Sequence, residues 1–377
     1  QIGEYELASE AFEAGLKHAR KSRNYRAETL ILTGLGDLYT EVDEFDAALQ
    51  AYQQAEAVAV RLPGFFISNY LIIARGNLAM LQGSFDDVKE IIKKFRKKMK
   101  LSQSNYERGL WALFEGRFFL FKNESKKAIP FLRDCKEYLV QDGRDIEILW
   151  SKVWLAAAYN KIGAKADARE ELQSILTAQS SLEHAGLVTL LKVTPWLADI
   201  QEDVLIGRQL SRLFEKSRQL GIRMPAIRRA LRHHAISIQV PSARLVIRAF
   251  GNPEVSLSGQ ILAMSHWRTQ SVRDLFFYFL HRQAAVTKEQ VGADLWSETK
   301  DAQTLKIRFK NEIYRLRRAV GHDAIVFDDE YYRFNREMDY EYDVEVFDSH
   351  IQRSQKTEDM NVRIEHLQKA VDLVRGP

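Results

Sequence analysis

A short motif recurs along the first half of the chain with a constant step of 40 residues. Gly3-Glu-Tyr-Glu-Leu-Ala8 aligns with Asp43-Glu-Phe-Asp-Ala-Ala48, Gly83-Ser-Phe-Asp-Asp-Val88, Asn123-Glu-Ser-Lys-Lys-Ala128 and Gly163-Ala-Lys-Ala-Asp-Ala168. Gly36, Gly76, Gly116 and Ala156 keep the step, and so do Phe12, Tyr52, Ile92, Leu132 and Leu172. A fixed period of this kind marks a stacked repeat, in which each unit buries its apolar face only against its neighbours. Spacing within the unit identifies its parts. Leu32, Leu35, Gly36 and Tyr39 lie three and four apart on one helical face, as do Ala48, Tyr52 and Ala55. The expected unit is a pair of helices: a small residue on the first admits the second, and a large residue on the second fills the gap. The step is expected to hold through residue 200.

Composition narrows the function classes. Only 7 prolines occur in 377 residues, which favours long helices. The single cysteine, Cys135, excludes an intrachain disulfide and falls at the small-residue position equivalent to Ala55, a packing role. Lys plus Arg is 55 against 51 acids, a net charge of +4 that excludes a wholly basic nucleic-acid coat but allows a local patch. No apolar run approaches the roughly 18 residues of a bilayer span. The opening stretch from Gln1 to Glu10 is acidic and mixed, unlike a signal peptide. A soluble cytoplasmic protein without a membrane partner is expected. The chain lacks an initiator Met and its first repeat begins in mid-unit, so a piece of a longer protein is expected.

Enzyme chemistry finds little support. Gly34-Leu-Gly36 lacks the third glycine of a dinucleotide loop and sits inside a helix, and no phosphate-cradling P-loop occurs. His233-His234 has no cysteine or carboxylate at ligand spacing. No nucleophile–base pair or paired acids stand out, so no catalytic residue, cofactor or metal is expected. The run Lys93, Lys94, Arg96, Lys97, Lys98 and Lys100 around Phe95 and Met99 reads as a solvated helix face. The inner face of a repeat array is where partners bind. By register it carries Asp37, Asn77 and Arg117, and the candidate ligand or partner residues are Tyr70, Asn77, Arg117, Trp150 and Asn160, with Leu113 nearby. Arg117 among apolar neighbours reads either as a snorkelling side chain or as a contact for an inducer, a small molecule or a protein segment.

The order Leu32, Leu35, Gly36, Tyr39, Ala48, Tyr52, Ala55 resembles the tetratricopeptide repeat. Ser125 and Lys165 depart from it, standing where Tyr5, Phe45 and Phe85 place an aromatic ring. The usual terminal proline is missing and the step exceeds the usual length of about 34. In that respect the array is similar to the superhelices of maltose-regulator-type bacterial activators, over about residues 1 to 220.

The character of the chain changes near Gly221. Pro225 and Pro241 are expected to break the helical pattern, around a basic segment of Arg228, Arg229, Arg232, His233 and His234. The expected division is repeats over 1–235, a linker over 236–243, a second domain over 244–340 and the start of a third over 341–377. Arg244-Leu-Val-Ile-Arg-Ala-Phe250 alternates as a strand does, Gly251-Asn-Pro253 turns it, and Glu254 to Leu257 returns. A helix follows from Ser271 to His281, then a capping box at Thr287-Lys-Glu-Gln290 opens a short one ending near Trp296. Asp301 caps a third helix, whose stripe of Leu305, Phe309, Ile313, Leu316 and Val320 faces a core until Gly321 ends it. A hairpin closes the set, Ile325 to Phe327 and Tyr332 to Phe334 around Asp328-Asp-Glu330. Strands, three helices and a hairpin, in that order, are the layout of a winged helix. The overall expectation is a multidomain, mostly α chain: a tetratricopeptide-like α-α superhelix followed by an α+β winged-helix domain.

The third helix has a nucleic-acid composition. Lys306, Arg308, Lys310, Arg315, Arg317 and Arg318 face one acid, Glu312. Opposite the core stripe lie Ile307, Asn311, Tyr314 and Arg318, flanked by Thr304, Arg308 and Arg315. Arginine bonds guanine and asparagine adenine in a groove about 12 Å wide, so Thr304, Arg308, Asn311, Tyr314, Arg315 and Arg318 are the expected base contacts in double-stranded DNA. Lys306, Lys310, Arg317 and Arg333 are the expected phosphate contacts.

Leu245-Val-Ile-Arg-Ala-Phe-Gly251, Trp267-Arg268, Asp294-Leu-Trp296 and Ile313-Tyr-Arg-Leu-Arg-Arg318 resemble the winged-helix domain of the Streptomyces antibiotic regulatory protein (SARP) family, itself similar to OmpR-type effector domains. The acidic wing tip at Asp328 to Glu330 departs from that pattern. Asp343-Val-Glu-Val-Phe347 and the stretch from Leu367 are similar to the opening of the bacterial transcriptional activator domain. The resemblance implies a sequence-specific transcriptional activator, with RNA polymerase as a further partner. The alternative is an interaction scaffold whose winged helix binds protein.

Overall fold

The computed structural model describes residues 3–62, 66–178, 180–299 and 301–375, with the side chains of 180–182 and 204–206 excepted. Two compact units divide the chain, Gln1–Pro241 and Ser242–Pro377. No helix among the described residues is long and apolar enough to cross a membrane.

In the first unit, α1 (Tyr5–Lys21), α2 (Tyr25–Glu41), α3 (Phe45–Ala59), α4 (Ile67–Leu81), α5 (Phe85–Lys100), α6 (Asn105–Phe121), α7 (Ser125–Gln141), α8 (Asp145–Lys161) and α9 (Lys165–Leu176) form a repeat-like array. One turn, used repeatedly, sets the step. Asp43, Gly83, Asn123 and Gly163 have φ of 62°, 79°, 60° and 82°. After each, the next N–H returns to a carbonyl in the last turn of the helix: Glu44 to Tyr39, Ser84 to Ala79, Glu124 to Phe119 and Ala164 to Tyr159, at 2.8–3.0 Å. That bond closes orphaned helix-end carbonyls and needs a left-handed residue, which glycine, asparagine and aspartate supply at least cost.

Between helices, Ala48, Val88, Ala128 and Ala168 are fully buried, and so are Tyr52, Ile92, Leu132 and Leu172 to within a few percent. Gly36 lies under the ring of Tyr52, and a Cβ on Gly116 would stand 2.7 Å from Leu132, the partners that the step predicts. Gly76 departs: its missing Cβ leaves room for Phe114 of α6, at 2.6 Å, instead of Ile92. Phe114, Trp111 and Phe118 join Ile73, Val88 and Ile92 in a core separate from the main one. Cys135 is buried.

The 40-residue step lapses before residue 200. Shifted by that step, α2 predicts a helix over 185–201; α10 instead runs Ser180–Val193, followed by a 3-10 turn at Thr194–Trp196 and α11 (Ala198–Glu202). Pro195 disfavours helix at Thr194, and Trp196 packs edge-on to Phe121 at 5.0 Å. The next helix, α12 (Val204–His234), runs through Pro225 without a break. Losing one backbone bond there is offset by a buried stripe of Leu210, Leu213, Leu220, Met224 and Leu231.

These last helices fold back onto the first. Lys192 Nζ donates to the Thr40 carbonyl (3.0 Å), Arg228 to the Val42 carbonyl (3.1 Å), and Arg232 pairs with Glu44 (2.7 Å). Tyr5 Oη bonds His184 Nε2 at 3.0 Å, and His234 pairs with Glu10 at 3.2 Å. The expected linker over 236–243 is corrected in part. Glu13 accepts the N–H groups of Ile236 and Ser237, Gln50 and Gln54 hold Gln239 and Ser237, and Ile238 is buried, so 236–241 belongs to the first unit.

The second unit holds β1 (Leu245–Arg248), β2 (Glu254–Leu257), β3 (Gln260–Ile261), α13 (Met264–Trp267), α14 (Gln270–His281), α15 (Lys288–Leu295), α16 (Ala302–Val320), β4 (Ile325–Asp328), β5 (Tyr331–Phe334), β6 (Tyr340–Tyr342), α17 (Asp343–Lys356) and α18 (Met360–Leu373). The expected order of strands, helices and hairpin is present. One sheet runs β3-β2-β1-β6, and β4-β5 form a separate hairpin. Its tip turns through Asp329 and Glu330, both at positive φ. The sequence reading missed β6, which pairs in parallel with β1, Leu245 opposite Tyr340 and Ile247 opposite Tyr342. Buried Asp343 then accepts the N–H groups of Ala249 and Phe250 at 2.8 and 3.2 Å. The expected domain start at 341 therefore falls inside this sheet connection, and α17 belongs to the second unit.

Replacing Gly76 by Leu should overpack the Phe114 contact and destabilise the chain by about 1–3 kcal/mol, read as a lowered urea midpoint. Gly83→Ala meets open space and carries only the φ cost, on the order of 1 kcal/mol. A Gly76→Leu chain as stable as wild type would remove the steric role assigned to Gly76.

Candidate functional site

Two places gather chemistry-bearing side chains, one in each unit. In the second unit, Asp301 accepts the backbone N–H and the hydroxyl of Thr304, both at 2.6 Å, and fixes the start of α16. Phe309, Ile313, Leu316 and Val320 are buried and Leu305 partly so, as the period predicts. That stripe leaves Thr304, Lys306, Ile307, Lys310, Asn311, Tyr314 and Arg318 exposed, with Ile307 at 54% and Tyr314 at 59%. Among the described residues no ion pair holds Lys306, Lys310 or Arg318.

Half of the helix's cations have work inside the unit. Arg317, expected on phosphate, donates from Nη2 to the Ile325 carbonyl at 2.8 Å and its Nε is buried, because the hairpin lies against that side. Arg308, expected on a base, stacks over Trp296 at 4.7 Å and bonds Glu298 and Thr299 at 2.5 and 3.0 Å. Arg315 is half-exposed and leans on buried Glu312 at 3.3 Å. Arg333 lies half-buried on β5, opposite Val326.

In the first unit, the inner faces of α2, α4, α6, α8 and α10 enclose a cavity of about 610 Å³. The repeat register generates its wall: Asp37, Asn77 and Arg117 occupy one position on α2, α4 and α6, and Gly34, Ala74 and Trp154 another on α2, α4 and α8. Of the candidate residues read from sequence, Tyr70, Asn77, Arg117 and Trp150 line it. Asn160 does not: it is buried and its amide donates to the Trp196 carbonyl at 2.8 Å, so its role is to anchor the 3-10 turn. Sequence reasoning missed Lys192, which no repeat position marks, and Glu41, Tyr106 and Trp154.

Polar pairing in the cavity is uneven. Tyr52 and Tyr70 donate to the two oxygens of Asp37 at 2.7 and 2.8 Å. Burial pushes the Asp37 carboxyl up to about 7, against the pull of those two hydroxyls. Burial likewise raises the Glu41 carboxyl. Arg117 donates to the neutral Asn77 amide oxygen at 2.9 Å and lies 4.7 Å over Trp154, while its Nε has no partner. Burial pulls its guanidinium down to about 10, and burial also lowers Lys192.

A carboxyl whose folded pKa exceeds its unfolded one binds its proton more tightly when folded. Its stabilisation is full at low pH and is lost as pH rises through about 7. The thermal midpoint should therefore fall between about pH 4 and about pH 7, and Asp37→Asn should flatten that slope, leaving the part due to Glu41. An unaltered slope in the variant would show that Asp37 is ionised throughout. No protein-family model matches the chain, and no curated protein is significantly similar to it.

Proposed function

We propose that the chain is a sequence-specific DNA-binding transcriptional activator, in which a winged-helix second unit reads DNA and a tetratricopeptide-like first unit receives the signal. The observation that carries this reading is the outward face of α16. Its core stripe leaves one side free for its full length, and that side holds Thr304, Asn311 and Arg318 with Lys306 and Lys310 beside them. A helix of about 10–12 Å diameter fits a major groove about 12 Å wide. Asn311 suits adenine and Arg318 guanine, with Arg315 joining on release from Glu312. Lys306 and Lys310, and Arg333 on the hairpin, suit phosphates. Arg308 and Arg317 position the helix. RNA polymerase is the partner that an activator then recruits.

Exposed Ile307 and Tyr314 on the same face support a second reading, a scaffold whose helix docks on protein. Titration with duplex DNA at several salt concentrations separates the two. Asn311→Ala or Arg318→Ala should cost about 1–3 kcal/mol on the preferred site and relax its sequence preference. Lys306→Ala and Lys310→Ala should weaken all sequences alike and reduce the salt slope by about one each. Arg317→Ala should leave the salt slope unchanged and lower thermal stability instead. Absence of binding at low salt would favour the scaffold.

A further inference from the structure

We propose that the cavity of the first unit binds a small organic anion, its carboxylate or phosphate held between Arg117 and Lys192 and its planar ring stacked against Trp150 and Tyr70. The argument begins with an unmet charge. A buried cation is held, as a rule, by a carboxylate, because desolvation is costly without a counter-charge. Among the described residues Arg117 has none: its side-chain partners are a neutral amide and an indole ring, and Nε is left over. The accessible part of its guanidinium opens on the cavity that it lines.

Lys192 lines the same cavity from α10. Its ammonium bonds a backbone carbonyl, and its carboxylate contact, Asp43, is 3.5 Å away and half-exposed. The two cations are near enough that Arg117 depresses the proton affinity of Lys192. Two like charges across one cavity repel when it holds only water, and an anion between them turns that repulsion into two attractions.

The acids of the cavity do not supply that anion. Asp37 is taken by two tyrosine hydroxyls, and Glu147 accepts from Tyr106 at 3.1 Å. Glu41 is engaged with the Tyr5 hydroxyl, and burial raises its carboxyl against the pull of Lys192. Aromatic walls and a volume near 610 Å³ suit a ligand of small-molecule size. A neutral ligand would leave Arg117 as it is.

The proposal rests on the reading of the first unit as the receiving arm, and its test contains no DNA, so failure of DNA recognition and failure of anion binding are separate results. The full chain is titrated with anilinonaphthalene sulfonate, an aromatic anion, and with phenylnaphthylamine, its neutral counterpart, by fluorescence. The anion should bind about tenfold or more tightly than the neutral probe, as charge-assisted bonds in a desolvated site require. Arg117→Gln should abolish that preference, Arg117→Lys should keep part of it, and Trp150→Ala should weaken both probes. Lys192→Gln gives an independent reading if Arg117→Gln does not fold. Displacement of the sulfonate by benzoate assigns a carboxylate ligand, and displacement by phenyl phosphate a phosphate one. Equal affinity for the two probes, an Arg117→Gln or Lys192→Gln chain that keeps the preference, or displacement by neither competitor overturns the proposal.

Discussion

The first unit depends on what happens at the carboxyl end of α2. The last carbonyls of a helix carry partial negative charge and have no partners of their own. Here Lys192 meets Thr40, Arg228 meets Val42, and Arg232 pairs with Glu44 just beyond. All three cations come from helices at the far end of the array. Without that closure the concave face would be an open groove; with it, Val188, Thr189 and Lys192 become its missing wall. The Arg232–Glu44 pair is nearly buried on both sides, so removing either charge should destabilise the closure, by about 3–5 kcal/mol. An ordinary solenoid tolerates the loss of an end repeat, because each unit leans only on its neighbours. Here α10 and α12 lean on the carboxyl end of α2 as well as on their neighbours in sequence.

What the sequence displayed, and what it concealed, follows from how each feature is encoded. The repeat was legible because its turn demands a left-handed residue and its helix contact demands a small one, each at a fixed place. Asp43, Gly83, Asn123 and Gly163 answer the first demand. The closure was illegible because Arg228 and Val42 are 186 residues apart and no period connects them. Arg228 and Arg232, read along the chain, look like part of a basic segment before a linker. Gly76 shows a middle case: the small residue was evident, and the side chain that exploits it, Phe114, comes from the next helix pair.

The candidate DNA face divides in the same way. Helical periodicity was enough to set Asn311, Tyr314 and Arg318 opposite the core stripe. Charge counting was not enough, since it treats all six cations alike. Arg308 and Arg317 are tied up by Glu298, Trp296 and the Ile325 carbonyl, groups that lie beside them in space and not in helical register. The lining of the cavity was partly legible for a similar reason. Residues in step, Asn77 and Arg117, could be placed, whereas Lys192 enters from a helix that has slipped out of step.

The pairing of β1 with β6 has a consequence for how the second unit is made. Asp343 fastens the end of β1 from 94 residues downstream. On the ribosome, β1 and β2 emerge first, then α14 to α16, and the strand that completes the sheet only afterwards. Until residue 343 has left the exit tunnel, one flank of β1 presents unpaired backbone groups, the kind of edge that recruits other chains. The basic helix is thus synthesised before the sheet that fixes it is whole, and a nascent chain stalled between 320 and 340 would carry its cations on an unfinished frame.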